Sequence, residues 1–120
     1  MSEESTRREK PNEVMVGFVT APPSDAERIA GALLDRGLAA CCNVVGSVTS
    51  VFNWEGVREK ETESLIIIKT TRSAARELTE LVKEIHPYDL PEVILLDVRE
   101  GLEGYLKWVV KECARGAKND

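Results

Sequence analysis

The chain has 120 residues, of which 42% are hydrophobic and 31% charged, and a formal net charge of -5. That length supports one domain with a real core, and an acidic balance without a basic stripe argues against nucleic acid as a partner. No run approaches the ~20 apolar residues of a membrane span, no signal pattern follows Arg7-Arg8, and Cys41, Cys42 and Cys113 form no CxxC pair, which fits free thiols in a reducing cytoplasm.

Residues 1–12 are charged and poor in apolar residues, and are expected to be a disordered tail ahead of one domain spanning 13–116. Val14 to Thr20 is β-branched and aromatic, and reads as a first strand stopped at Pro22-Pro23. Ser24 to Glu27 fits a capping box. Ala26, Ile29, Ala30, Leu33 and Leu34 then recur at helical spacing, with Gly37 as a C′ residue. Ala40 to Trp54 reads as one long strand with a bend or bulge at Gly46. A polar turn, Glu55 to Lys60, leads to a return strand from Glu61 to Thr70, whose Leu65-Ile66-Ile67-Ile68 centre is apolar on both faces and so belongs inside a covered sheet.

Thr71 is the expected N-cap of a second helix with Ala74, Ala75, Leu78, Leu81, Val82 and Ile85 on one face, ending at His86-Pro87. Val93 to Val98 is the fourth strand. Leu102, Tyr105, Leu106, Val109 and Cys113 form a last helical stripe closed by Gly116, with Trp108 off it. The order β-α-β-β-α-β-α predicts an α+β fold: a ferredoxin-like split β-α-β sandwich with an antiparallel sheet, an extended β-hairpin and an extra C-terminal helix.

A strand from Ala40 to Trp54 would span roughly 50 Å, against about 17–20 Å for a usual strand. A domain this small cannot cover such a hairpin, so its surplus, with Val48, Val51, Phe52 and Trp54, is expected to pair with another copy of the chain. The alternative is a strand that breaks at Gly46 and folds back on its own sheet.

The one histidine, His86, lies in Ile85-His86-Pro87-Tyr88-Asp89-Leu90-Pro91-Glu92, where two prolines hold the connector in one shape. It is either a helix stop or a site. A lone imidazole needs further ligands, and Cys41, Glu61, Glu63, Asp89 and Glu92 are candidates without a spacing that selects among them. Lys69, ending a buried strand, is a candidate for the charge lining an intersubunit cleft, paired with Glu63 or Glu92. Tyr105 and Trp108, three apart on a helix, are expected to pack on the sheet or a neighbouring subunit. No Ser-His-Asp order, phosphate loop or HExxH is present.

Five segments in order, Leu38-Ala39-Ala40-Cys41-Cys42-Asn43, Thr49 to Gly56, Ile68-Lys69-Thr70, His86 to Glu92 and Gly104 to Trp108, make the chain resemble the CutA family of divalent-cation-tolerance proteins from about Val14 to Ala114. The resemblance implies a tight homotrimer similar in architecture to the PII signalling proteins, with neighbouring sheets joined through long hairpins. It also implies a link to cation tolerance, chiefly copper. In some bacterial members the copper ligands are a cysteine and two consecutive histidines. Those positions here are Val19, Ile85 and His86, so only His86 keeps a donor.

Two readings follow. The first is a non-enzymatic trimeric scaffold or sensor whose clefts, with Cys41, Phe52, Trp54, Glu63, Lys69, Tyr88, Glu92, Tyr105 and Trp108 as candidate lining, receive a cation, a small ligand or a partner. The second is a copper-binding or sequestering protein using His86 at an intersubunit cleft. No cofactor is required by either; a divalent cation such as copper is the candidate ligand.

Overall fold

A run of β-branched residues broken by paired prolines sets the first crossover of the fold. The computed structural model describes residues 13–118, with side chains to Ala114, so the tail expected over 1–12 lies outside the described residues. Strand β1 (Val14–Ala21) is followed by α1 (Pro23–Asp35), β2 (Cys41–Trp54), β3 (Val57–Thr71), α2 (Ala75–Ile85), β4 (Ile94–Asp97) and α3 (Glu103–Lys118), with a 3₁₀ turn over Arg72–Ala74 before α2. The sheet order is β2-β3-β1-β4 and every pairing is antiparallel. The fold is ferredoxin-like, as expected from the element order.

Helix starts depart from the expected caps. Pro22 occupies the N-cap of α1 with Pro23 opening the helix, and no side chain caps it, so the Ser24–Glu27 capping box does not form. The backbone does the work instead, with Asp25 N–H donating to the Pro22 carbonyl at 2.9 Å. Thr71 likewise caps nothing, because the 3₁₀ turn intervenes and Ala74 precedes α2. The C-terminus of α1 follows expectation. Gly37 takes φ 69°, and the bonds from Gly37 N–H to Leu34 O (3.1 Å) and from Leu38 N–H to Leu33 O (2.9 Å) complete a Schellman motif.

The hairpin is longer than the polar pattern implied. Glu55 (φ 51°) and Gly56 (φ 83°) make a two-residue turn with both central residues left-handed, the type I′ geometry that matches strand twist. Trp54 therefore pairs with Val57, and Val57 to Lys60, read from sequence as turn, are strand. The bend expected near Gly46 is a bulge: Val45 pairs with Leu65 and Val48 with Glu63, leaving Gly46 and Ser47 opposite Ser64, with Ser47 at φ 56°. The described chain measures 54 × 28 × 22 Å.

Alternation along each strand divides the apolar residues between two faces. On one, α1 and α2 bury Val19, Ala21, Ile66 and Ile68 completely, together with Ile29, Leu33, Leu78 and Val82. On the other, Val14 packs under Leu106 and Val109 of α3, which covers only that end of the sheet. The expected C-terminal stripe is narrower than read: Cys113 is buried, but Tyr105 is exposed and Leu102, 79% exposed, precedes the helix. The helix also runs past Gly116 to Lys118 rather than closing there.

Candidate functional site

Pro87 forbids a further helical turn, and His86 accordingly leaves α2 with extended backbone (φ -77°, ψ 143°). Its ring turns inward and is only 7% exposed. Nδ1 accepts the Tyr88 N–H at 3.1 Å, which places the ring proton on Nε2, and Nε2 donates to the Thr20 carbonyl at 2.8 Å. Both nitrogens are thereby engaged. The Tyr88 ring lies 4.8 Å from the imidazole.

The same loop is tied to the hairpin. Tyr88 OH donates to Glu63 Oε2 at 2.8 Å, and Ser50 OH donates to Glu63 Oε1 at 2.6 Å. Glu63 is 5% exposed, so a nearly buried carboxylate is held by two hydroxyl donors rather than by a cation. Burial, then the hydrogen bond to Glu63, pushes the Tyr88 phenol up to about 12. Glu92 accepts from the Thr20 hydroxyl at 3.3 Å, and Arg28 reaches both Asp25 (2.8 Å) and the Ile85 carbonyl (3.1 Å).

A second group forms at the other end of the β2–β3 ladder. Cys41 and Lys69 are direct cross-strand partners. Lys69 Nζ donates to Asn43 Oδ1 and approaches Cys41 Sγ at 3.9 Å. Within one chain Lys69 pairs with neither Glu63 nor Glu92, and those carboxylates accept from Tyr88, Ser50 and Thr20. Burial and the neighbouring Cys41 raise the Tyr105 phenol above its ordinary value. Its ring lies 5.6 Å from that of Trp108. Cys42 points to the opposite face, where burial foremost, with Cys41 adding and Lys69 opposing, pushes its thiol up to about 12.

Beyond Cys41, Asn43 and Lys69, this end of the same sheet face is largely apolar. The pairings place Val16, Phe18, Val45, Leu65, Ile67, Ile94 and Leu96 together on it. Val45, Ile94 and Leu96 are 41%, 51% and 54% exposed. Phe52 and Trp54 continue the same side of the hairpin toward its tip and are exposed as well.

The CutA1 divalent ion tolerance protein family matches residues 15–112. The chain belongs to the CutA1 divalent ion tolerance family. Its CutA relatives include the CutA homolog of Xenopus laevis, 46% identical over 93 residues, covering 77% of this chain and 62% of that protein. The divalent-cation tolerance protein CutA of Thermus thermophilus is 41% identical over 95 residues, covering 78% of this chain and 92% of that protein. The crystal structure of CutA1 from Oryza sativa superposes with a TM-score of 0.80 at 42% identity, covering 82% of this chain and 92% of the other. The chain therefore spans less than two thirds of the frog relative's length.

Set against the copper positions implied by the CutA resemblance, the side chains do not fit that ion. Val19 and Ile85 offer no donor atom, and His86 has both nitrogens bonded. Among the described residues no group of three or more His, Cys, Asp or Glu is placed to hold a metal, and none of their helices is long and apolar enough to cross a membrane. His86, Tyr88 and Glu63 stand out in the sequence, but Thr20 and Ser50, which complete the first group, and Asn43, which completes the second, do not. Polar residues inside otherwise apolar strands were the available signal.

Proposed function

We propose that this CutA protein works as a self-assembled, non-catalytic scaffold or sensor in divalent-cation tolerance, with three copies meeting through the open sheet face and the long hairpin. The observation that carries the reading is that face: Val45, Ile94 and Leu96 expose roughly half their surface beside Phe18 and Ile67, which is the pattern of an interface rather than of a solvated sheet. An edge strand as long as β2 supports it, since unpaired strand edges are covered or paired in stable proteins. The unbridged cysteines support a reducing compartment.

In this reading the His86 loop is a clamp rather than a metal ligand. It fastens α2, β1 and the hairpin to one another through Thr20 and Glu63, and His86 contributes to a cation site only after one of its two ring bonds is released. Light scattering coupled to gel filtration tests the assembly: a mass of three chains supports it and a single-chain mass at micromolar concentration overturns it. Equilibrium dialysis with Cu(II), Cu(I) and Zn(II) tests the clamp. Stoichiometric copper that disappears in His86→Ala returns the loop to metal binding.

A further inference from the structure

We propose that Lys69 is one half of an ion pair that a second copy of the chain completes, its carboxylate being Glu61 of the partner subunit. The inference rests on the assembly proposed above and names the contact that orients it: the base of one sheet meets the hairpin of the next.

Lys69 is the cation of the open face. The register puts Val16 of β1 and Cys41 of β2 on either side of it, with Ile67 next on the same side of β3, and the residue is already half-buried in the single chain. Its hydrogen bonds run to Asn43 Oδ1 and to Cys41 Sγ at 3.9 Å, an amide and a sulfur but not a carboxylate. An ammonium covered by apolar side chains is strongly unfavourable unless an anion meets it. Among the described strand residues no other Lys or Arg faces this way, because Arg58 and Lys60 alternate to the other side of the hairpin.

Carboxylates with the same facing collect at the far end of β3. Glu59, Glu61 and Glu63 follow one another at every second residue, roughly 6.6 Å apart. Ser50, opposite Glu61, reaches Glu63 with its hydroxyl, which puts the whole row on one side. Glu63 is buried and held by Tyr88 and Ser50, and Glu59 is half-covered beside its cross-strand partner Phe52. Glu61 is exposed and, among the described residues, makes no hydrogen bond or ion pair. Like charges in one row repel, so this end gains from a cation and carries none.

The two charges cannot meet within one chain. They lie on one strand, and the stretch from Glu61 to Lys69 spans roughly 26 Å, far beyond the reach of a lysine side chain. They meet only head to tail, the base of one copy against the hairpin of another, and a head-to-tail contact repeated by rotation closes into a ring. The apolar strip between them, Leu65 and Ile67 with Ile94 and Leu96 beside it, then lies inside the same contact. Opposite charge at its two ends fixes which end meets which.

The test measures subunit exchange between unlabelled and isotope-labelled protein by native mass spectrometry. Glu61→Lys alters an exposed hairpin position, so it should keep the circular dichroism of the unsubstituted protein. It should exchange about tenfold faster or more, because losing one member of a covered charge pair acts on dissociation. Lys69→Glu should do the same, and the chain carrying both substitutions should return to within about threefold of the original rate, its pair restored with the signs exchanged. Lys69→Met, Glu61→Gln and their combination repeat the cycle without a new charge: each alone speeds exchange, and the second adds little once the first is made. Fast exchange in Glu61→Lys that Lys69→Glu leaves uncorrected overturns the pair, as does rescue of Lys69→Glu by Glu59→Lys instead. So does exchange in Glu61→Lys at the original rate. An unsubstituted protein with the mass of one chain is a separate result, which removes the assembly itself and the pair with it.

Discussion

The two faces of one sheet carry almost the same amino acids and meet different fates. Ile66 and Ile68 lie beneath α1 and α2 with no exposure, while Leu65 and Ile67, their neighbours on the same strand, face outward with Ile94 and Leu96 half-exposed beside them. The covered face is a core and the open face has the composition of one. Apolar residues on both sides of a central strand are the pattern of a sheet covered on both sides, and the proposed assembly through the open face would account for the contrast.

A lysine in each face should break the symmetry most. Ile66→Lys puts a charge under two helices with no partner, a cost beyond the ~5–15 kcal/mol margin of a small domain when combined with lost packing, and the chain is expected not to fold. Leu96→Lys should leave the circular dichroism of a folded protomer and separate the chains instead. A Leu96→Lys protein that keeps the mass of the unsubstituted one would mean that the open face is not the interface.

Truncation sharpens the same contrast at smaller cost. Ile66→Ala should lose about 2–5 kcal/mol in urea unfolding, with a loss independent of protein concentration. Ile94→Ala removes a side chain that is half-exposed in the protomer. It should nevertheless cost more than 1 kcal/mol, and its midpoint should shift with concentration, because assembly contributes to apparent stability by mass action. A loss under ~0.5 kcal/mol without concentration dependence is what a solvated residue gives.

The hydroxyl clamp is the next effect down. Tyr88→Phe removes one of two donors from the buried Glu63 carboxylate and should cost about 1–2 kcal/mol, since the partner left behind is charged but still served by Ser50. The pH signature has a definite sign. The Tyr88 phenol is raised from 10.0 to about 12 in the folded chain, so its contribution is fully present below pH 10 and is lost as pH climbs toward 12. Spectrophotometric titration should therefore show one phenolate, absent in Tyr88→Phe, that ionises well above the ordinary tyrosine range. A tyrosine that titrates normally in the unsubstituted protein but not in Tyr88→Phe would detach Tyr88 from Glu63.

Much of this arrangement was legible in the residues, for identifiable reasons. The two-faced Leu65–Ile68 run marks a central strand, Gly46 marks the bulge, and His86-Pro87 marks the end of α2, each because local sterics or burial leave few choices. The hairpin turn is narrower than the polar Glu55–Lys60 run suggests, because its overhanging strands have no dry face in the single chain and Val57 to Lys60 show no burial signal. Glu55-Gly56 is also a weaker left-handed pair than Asn-Gly. Both helix starts differ from the expected caps because Pro22 and Ala74 occupy the N-cap positions and offer no side-chain cap for a sequence pattern to mark. The clamp was half legible: His86 stands out as a residue, but its acceptor is a main-chain carbonyl 66 positions away, which no local pattern encodes.

The smallest effect separates the faces one residue apart. Cys41 and Cys42 are neighbours in sequence, yet Cys41 shares the open face with Lys69 while Cys42 packs against the helix-covered core. Burial raises the Cys42 thiol from 9.0 to about 12, and since only the thiolate attacks an alkylating agent, a rise of about three units lowers the reactive fraction roughly a thousandfold near neutral pH. Iodoacetamide at pH 8 should therefore label Cys42 far more slowly in the folded chain than in urea, with the folded rate rising tenfold per pH unit well past pH 9. The protonated form is the one folding favours, so deprotonation at high pH should loosen the covered face and never tighten it. Labelling of Cys42 at the denatured-chain rate would show that this edge of the core opens readily, and the distinction between a dry face and an unfinished one would have to be redrawn at β2.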